Sequence, residues 1–235
     1  ELKHQMGLVR EGAGGYGEHV LGITAYDQGN YTFLHPVWEP FYRKKAEDIA
    51  GALKPVTRYF RQRGMKVGMD TFAPYLAYFA GQDMKLLASM ADFIKPMMYR
   101  ITNAPAAMPF ETDCLIRETV QGNGMQMEGD AKTRARNAFF EILGCHDTGT
   151  RAFDLNFTAR ELTYMAGLGV PVYCGIEVNS NEAAPSNPGY LRETMEGLRL
   201  LDLEGYVLSW DLMCATDGNL AAVRGCLDPG PAAER

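Results

Sequence analysis

The feature that most constrains the fold is an alternation of short apolar segments with segments of helical periodicity. Apolar segments of strand length occur at residues 66–70, 93–99, 171–177 and 206–211. Each is followed by a segment whose apolar residues recur mostly at every third or fourth position, which is typical of an amphipathic helix. Such strand–helix alternation predicts a parallel sheet with helices packed on it.

An open sheet of four parallel strands has two edges without a partner, and closure into a barrel removes such edges. We therefore expect an α/β fold in which residues 1–235 form one (β/α) barrel domain of TIM type, or only the C-terminal part of such a barrel with four βα units. The opening strands are then missing or hidden in residues 1–36. In that region only residues 20–27 have the composition of a strand.

Some helix starts and breaks can be predicted from single residues. Thr158 and Glu161 match a capping box, and Asn187 before Pro188 has the pattern of an N-cap followed by the first helical residue. Pro55 should kink or split its helix because it lacks a backbone donor. The predicted helices cover residues 38–63, 83–91, 112–120, 131–143, 158–168, 188–204 and 219–227.

Composition excludes several classes of partner. The formal net charge of −6, without a basic stripe, argues against a nucleic acid or an anionic membrane surface as partner. There is no run of about 18 apolar residues that could span a membrane. The five cysteines are widely spaced and form no CxxC pair, which favours reduced thiols and a cytoplasmic location, although a secreted form with a removed signal peptide stays open.

The sequence also lacks the motifs of several site classes. The four histidines have no metal-binding spacing, and there is no Gly-Xaa-Ser-Xaa-Gly or dinucleotide-binding motif. We predict neither a metal site nor a cofactor.

Three carboxylates lie at or near the C-terminal ends of predicted strands: Asp70, Glu177 and Asp211. In parallel sheets and barrels this edge binds ligands. A pair of carboxylates across a sugar ring can supply the acid and the base or nucleophile of glycoside hydrolysis. Each acid also has a structural alternative, as a cap of the next turn or as a partner of an arginine such as Arg100.

Other side chains near the same edge could contact a ligand. Tyr99 and Trp210 offer aromatic faces for sugar rings, and Asn179 and Arg100 offer hydrogen bonds. Lys95 lies among apolar neighbours, where a Schiff-base lysine of an aldolase would lie. Its simpler interpretation is an ion pair with an acid of the neighbouring strand.

The segments GMDTFAP, DFIKPMMYR, VYCGIEVN and VLSWDL resemble the fifth to eighth strands of (β/α)₈-barrel glycoside hydrolases. The resemblance covers about residues 38–227. It implies that Glu177 is the seventh-strand nucleophile or base, Asp70 a fifth-strand acid, Tyr99 a sugar contact and Trp210 an eighth-strand platform. Many such enzymes also carry an essential acid on the fourth strand, and this chain has no clear counterpart of that strand.

These observations lead to the expectation of a glycosidase-like barrel that binds and hydrolyses a carbohydrate. Two alternatives remain: an aldolase or lyase that uses Lys95, and a carbohydrate-binding barrel fragment without catalysis. Apart from the carbohydrate, the expected partner is a missing N-terminal half of the barrel or a second copy of the chain.

Overall fold

The computed structural model of the chain describes residues 1–17, 19–121, 129–146, 148 and 152–228. Its strands are β1 (Ile23–Asp27), β2 (Asn30–Phe33), β3 (Gly68–Phe72), β4 (Phe93–Met97), β5 (Tyr173–Glu177) and β6 (Gly205–Ser209). Its helices are α1 (Leu2–Arg10), α2 (Trp38–Arg61), α3 (Pro74–Ala80), α4 (Met84–Ala88), α5 (Met108–Gln121), α6 (Gly129–Leu143), α7 (Leu155–Ala166), α8 (Pro188–Leu198) and α9 (Asp217–Leu227). Each of β3 to β6 is thus followed by helix, as the alternation predicts.

The four strands β3 to β6 form one parallel sheet in sequence order. This confirms the α/β class and the parallel sheet. The described residues do not form a closed barrel, because the outer edges of β3 and β6 have no strand partner among them. Three strand ends also differ from the prediction: Asp70 lies in the middle of β3, Tyr99 lies two residues beyond β4, and Asp211 lies two residues beyond β6.

One face of the sheet is covered by helices. Ile94, Cys174 and Ile176 are fully buried there, in one hydrophobic cluster with side chains of the helices that follow the strands. The alternation of side chains along a strand turns the residues between them to the opposite face. We call this second face the open face.

The first 36 residues form elements that the sequence indicates only in part. After α1, strands β1 and β2 make an antiparallel hairpin whose two loop residues, Gln28 and Gly29, have φ angles of 44° and 77°. Positive φ at both positions is the geometry of a type I′ turn. The hairpin packs on the helices: Tyr26 bonds to Glu161 of α7, and Tyr31 bonds to the backbone of Tyr75 in α3.

The helix caps give one confirmation and one correction. The Asn187 side chain accepts hydrogen bonds from the backbone N–H groups of Gly189 and Tyr190, both at 3.0 Å, so it is the N-cap of α8 as predicted. The capping box at Thr158 is wrong. Helix α7 begins earlier, and Asp154 caps it by accepting from Asn156 N–H.

Helix α2 has 24 residues and continues through Pro55, so this proline does not split it. Charged residues recur along its length. Of the helices in the described ranges, none combines the length and the apolar character that a membrane crossing requires. The predicted helix in the excursion after β4 is present as the longer α5, whereas residues 122–128 of that excursion lie outside the described ranges.

Candidate functional site

The open face carries a mixture of apolar, charged and small residues. Apolar side chains at alternate positions of three strands lie outside both hydrophobic clusters of the described residues: Phe93, Met97, Tyr173 and Val207. All four are half-buried. The same face therefore offers partly exposed apolar surface beside the predicted polar site residues.

Asp70 and Lys95 form an ion pair on this face. They are register partners on β3 and β4, and the Lys95 Nζ lies 2.8 Å from Asp70 Oδ2. The Lys95 side chain is buried, whereas 63% of the Asp70 side chain is exposed. Burial lowers the pKa of Lys95, but its hydrogen bond to Asp70 and the nearby Tyr99 raise it, and the net shift is upward. The lysine is thus held as a cation.

Tyr99 extends the ion pair across the sheet. Its hydroxyl lies 3.5 Å from Lys95 Nζ and 2.7 Å from the Ser209 hydroxyl at the end of β6. The ring passes over β5 at Gly175, where a Cβ atom would come within 3.3 Å of it. A side chain at position 175 would therefore crowd both the ring and the Pro96 carbonyl oxygen, which would lie 3.1 Å from the added Cβ.

Trp210 stacks on the buried Tyr99 ring. The two ring centroids are 5.0 Å apart, with 27° between the planes, and Trp210 is 48% exposed. Asn179 holds the backbone beneath the indole, because its side-chain oxygen accepts from Trp210 N–H at 2.6 Å and its amide donates to the Asp211 carbonyl at 3.2 Å. Asn179 therefore positions Trp210.

Glu177 ends β5 but is fully buried. Its Oε1 accepts a hydrogen bond of 2.7 Å from the backbone N–H of Ile101, in the segment after β4, and its Oε2 has no hydrogen-bond partner within the described ranges. Burial raises the pKa of this carboxyl to about 7, although the Ile101 N–H and nearby Arg100 act in the opposite direction. The side chain is thus a buried acid that binds a proton up to near-neutral pH.

Arg100 lies behind this edge and is almost fully buried. Its guanidinium donates to the Phe153 carbonyl at 3.0 Å and to the Thr194 hydroxyl at 2.7 Å, and lies 3.7 Å from the Glu193 carboxylate. These contacts tie the segment after β4 to α8. In this conformation Arg100 therefore has a structural role.

Asp211 is exposed and caps the 3-10 turn Leu212–Cys214. Its carboxylate accepts from the Met213 N–H at 2.9 Å, and the Cys214 thiol lies 3.7 Å away. It follows Trp210 directly, so it lies at the border of the site.

The structure thus joins four of the predicted residues in one row: Asp70, Lys95, Tyr99 and Trp210, which Asn179 supports. Glu177 and Arg100 are buried beside the row, and Asp211 borders it. Sequence reasoning missed Gly175 and Ser209. The small residue between Cys174 and Ile176 in an otherwise large-residue strand is the signal that could have indicated the close approach at Gly175.

A separate cleft of about 430 Å³ lies between the hairpin tip, α2 and α4. Three tyrosines line it, namely Tyr42, Tyr78 and Tyr164, and none of the predicted site residues does. Since none of the described residues that line it has an unsatisfied buried polar side chain, we place the candidate site at the sheet edge.

A comparison of the chain with protein-family models, with curated proteins and with solved structures found no match. The resemblance to barrel glycoside hydrolases therefore stays a prediction. The function must be argued from the geometry of the site.

Proposed function

We propose that this protein is a glycoside hydrolase-like barrel protein that binds a carbohydrate at the C-terminal edge of its parallel sheet. The observation that supports this most is the half-exposed Trp210 ring, stacked on Tyr99 and linked through it to the Asp70–Lys95 pair. A sugar ring has an apolar side that packs on an aromatic face and hydroxyls that bond to charged groups. Ligand sites commonly combine aromatic surface with a few such polar groups.

For hydrolysis we propose Asp70 and Glu177 as the two carboxyl groups. Asp70 is exposed and is linked to the aromatic pair through Lys95, and the pKa of Glu177 near 7 is that of a group which can donate a proton to a leaving oxygen at neutral pH. Glu177 must then become accessible. Because Ile101 N–H is bonded to Glu177 Oε1, the segment after β4 would have to move to expose the carboxyl group.

Carbohydrate binding without hydrolysis is the second candidate. The burial of Glu177 and the use of Asp211 as a cap both favour it, because the first carboxyl group is inaccessible in this conformation and the second accepts the Met213 N–H. An aldolase or lyase that uses Lys95 is the third. Its nucleophile must be an uncharged amine, and the upward pKa shift of Lys95 beside Asp70 opposes this.

Binding is tested by calorimetric titration with a panel of oligosaccharides. We expect Trp210→Ala to weaken binding about tenfold, since a lost stacking contact is worth about 1.4 kcal/mol. Phe41→Ala, a matched change at an exposed aromatic on α2, should leave affinity unchanged. If no oligosaccharide binds, or if both variants bind like the parent, the proposed site is wrong.

Hydrolysis is tested with chromogenic glycosides. Asp70→Asn and Glu177→Gln should each abolish turnover while oligosaccharide binding persists. Binding by the parent without turnover would instead support the non-catalytic candidate. Trapping of a substrate imine on Lys95 by borohydride would support the aldolase.

A further inference from the structure

The sheet has two free edges as well as an open face. In the described part of the chain, β3 and β6 each pair with a strand on one side only. Both are strands of the same parallel sheet, so they start at the same end. Free edges of this kind are templates for pairing with further strands.

We propose that two copies of this chain associate edge to edge and close one eight-stranded parallel barrel. The β6 strand of each copy pairs with the β3 strand of the other, about a two-fold axis along the barrel. Four strands in sequence order from each copy then give eight, and no free edge remains. A two-fold contact that closes on itself is the commonest arrangement of identical subunits.

Charge complementarity supports this pairing of edges. Residues 53–67, which lead into β3, contain five basic residues and no acidic one: Lys54, Arg58, Arg61, Arg63 and Lys66. Residues 196–204, which lead into β6, contain three acidic residues and one basic residue: Glu196, Asp202, Glu204 and Arg199. All of these residues are exposed, but Arg61 already pairs with Asp92 of the same chain at 2.8 Å, so the contact uses the other four basic residues. Since both segments lie at the N-terminal end of the sheet, the proposed contact sets the basic segment of one copy against the acidic segment of the other.

Exposed apolar side chains on the helices next to the two edges also support this contact. Helix α2, before β3, exposes Val56, Tyr59 and Phe60, and helix α9, after β6, exposes Leu220 and Leu227. Closure brings these helices together at the edges. The side chains of Phe93, Met97, Tyr173 and Val207 would become the interior of the barrel. Their burial supplies the hydrophobic contribution to association.

The assembly also completes the candidate site. The C-terminal edges of both sheets meet at one mouth, so each Asp70–Lys95 pair faces a cleft that the other copy closes. This inference concerns assembly and does not depend on which ligand the site binds. Its test measures mass and is therefore independent of the binding and turnover experiments.

The test is sedimentation equilibrium of the 235-residue chain over a range of concentrations and salt. We expect reversible formation of a species of twice the 26.0 kDa chain mass, weakened by salt. Val207→Lys places a charge in the barrel interior and should abolish the dimer. Leu34→Lys, at a position exposed on the hairpin side of the molecule, is the matched control and should dimerise like the parent.

Charge reversal tests the pairing of the edges. Arg58→Glu with Arg63→Glu should weaken the dimer at low salt, and adding Asp202→Lys with Glu204→Lys to the same chain should restore it. Circular dichroism reports that each variant is folded. A parent that stays monomeric at all concentrations overturns the proposal, and so does a dimer that neither Val207→Lys nor charge reversal weakens.

Discussion

At the scale of single residues, two buried glutamates stand out, Glu161 and Glu177. Burial raises the pKa of each to about 7, against 4.5 for an unperturbed glutamate. Glu161 accepts hydrogen bonds from the Tyr26 hydroxyl and from the backbone N–H of Tyr75, and these bonds only partly offset the effect of burial. Each carboxyl therefore retains in the folded chain a proton that the unfolded chain would release above about pH 4.5.

This predicts how stability depends on pH. A carboxyl with a raised folded pKa contributes its full stability below the unfolded value of 4.5 and loses it as the pH rises through about 7. For Glu161 the difference between the unfolded and the folded pKa corresponds to about 3 kcal/mol in the free energy of unfolding. We expect the free energy of unfolding, measured in urea, to fall between pH 5 and pH 8, and to fall less in Glu161→Gln. The exposed Glu141→Gln is the control. Parallel curves for the parent and Glu161→Gln would contradict the prediction.

The two glutamates also show what the sequence could and could not indicate. The position of Glu177 at the end of an apolar segment predicts that it ends a strand, and the structure places it at the end of β5. The spacing of Thr158 and Glu161 predicts a capping box, which the structure does not contain. Glu161 lies instead under the hairpin, because α7 begins earlier, at Leu155, with Asp154 as its N-cap. The partners Tyr26 and Tyr75 are 135 and 86 residues away, and no local pattern reveals such a contact.

At the scale of elements, the β1–β2 hairpin is held to the helices by few polar contacts. The Tyr26 hydroxyl donates to Glu161 and accepts from Gly29 N–H at 3.0 Å, so one side chain joins the strand, its own turn and α7. Tyr31 adds a bond of 2.8 Å to the carbonyl of Tyr75. The hairpin therefore depends on Tyr26 for both its turn and its attachment.

Removal of the Tyr26 hydroxyl should lower the free energy of unfolding. Tyr26→Phe keeps the ring but leaves Gly29 N–H and one bond to the buried Glu161 unmade, which costs about 1–3 kcal/mol. Thr24→Val removes the hydroxyl of an exposed residue of the same strand, where the bond to the Thr32 carbonyl is 3.3 Å long, and should change stability by less than about 0.5 kcal/mol. Urea midpoints measure both. Equal midpoints for the two variants would argue against the attachment through Tyr26.

Elements of strong periodicity were predictable, and short or unusual elements were not. The four parallel strands and the Asn187 cap follow from apolar segments and from a local side-chain preference. Strand β2 was missed because it has four residues and follows a Gln-Gly turn that lacks the usual Asn-Gly or Asp-Gly signal. Helix α3 was missed because its seven residues are too few for a recognisable period.

At the scale of the whole molecule, strand order decides which site residues meet. The sequence places Asp70, Lys95 and Trp210 on three strands but does not show that Tyr99 crosses β5 to reach Ser209. That contact depends on the order β4-β5-β6 and on Gly175 beneath the ring. The same order leaves β3 and β6 at the edges, where the proposed second copy would pair.

Strand order also predicts the pattern of backbone hydrogen exchange. In a dilute solution of the monomer, amides of the central strands β4 and β5 should exchange more slowly than those of β3 and β6, because an edge strand opens without breaking a second ladder. If two copies close a barrel, raising the concentration should slow exchange in β3 and β6 and leave β4 and β5 nearly unchanged.

The hairpin strands β1 and β2 are the internal control, since they pack on the helices and take no part in the proposed contact. Mass spectrometry of peptides from each strand measures the exchange of all six strands in one experiment. Slow exchange of β3 and β6 even at high dilution would mean that the edges are already covered within one copy, which would contradict pairing between copies. Concentration-dependent protection confined to β1 and β2 would instead assign association to the hairpin side of the molecule.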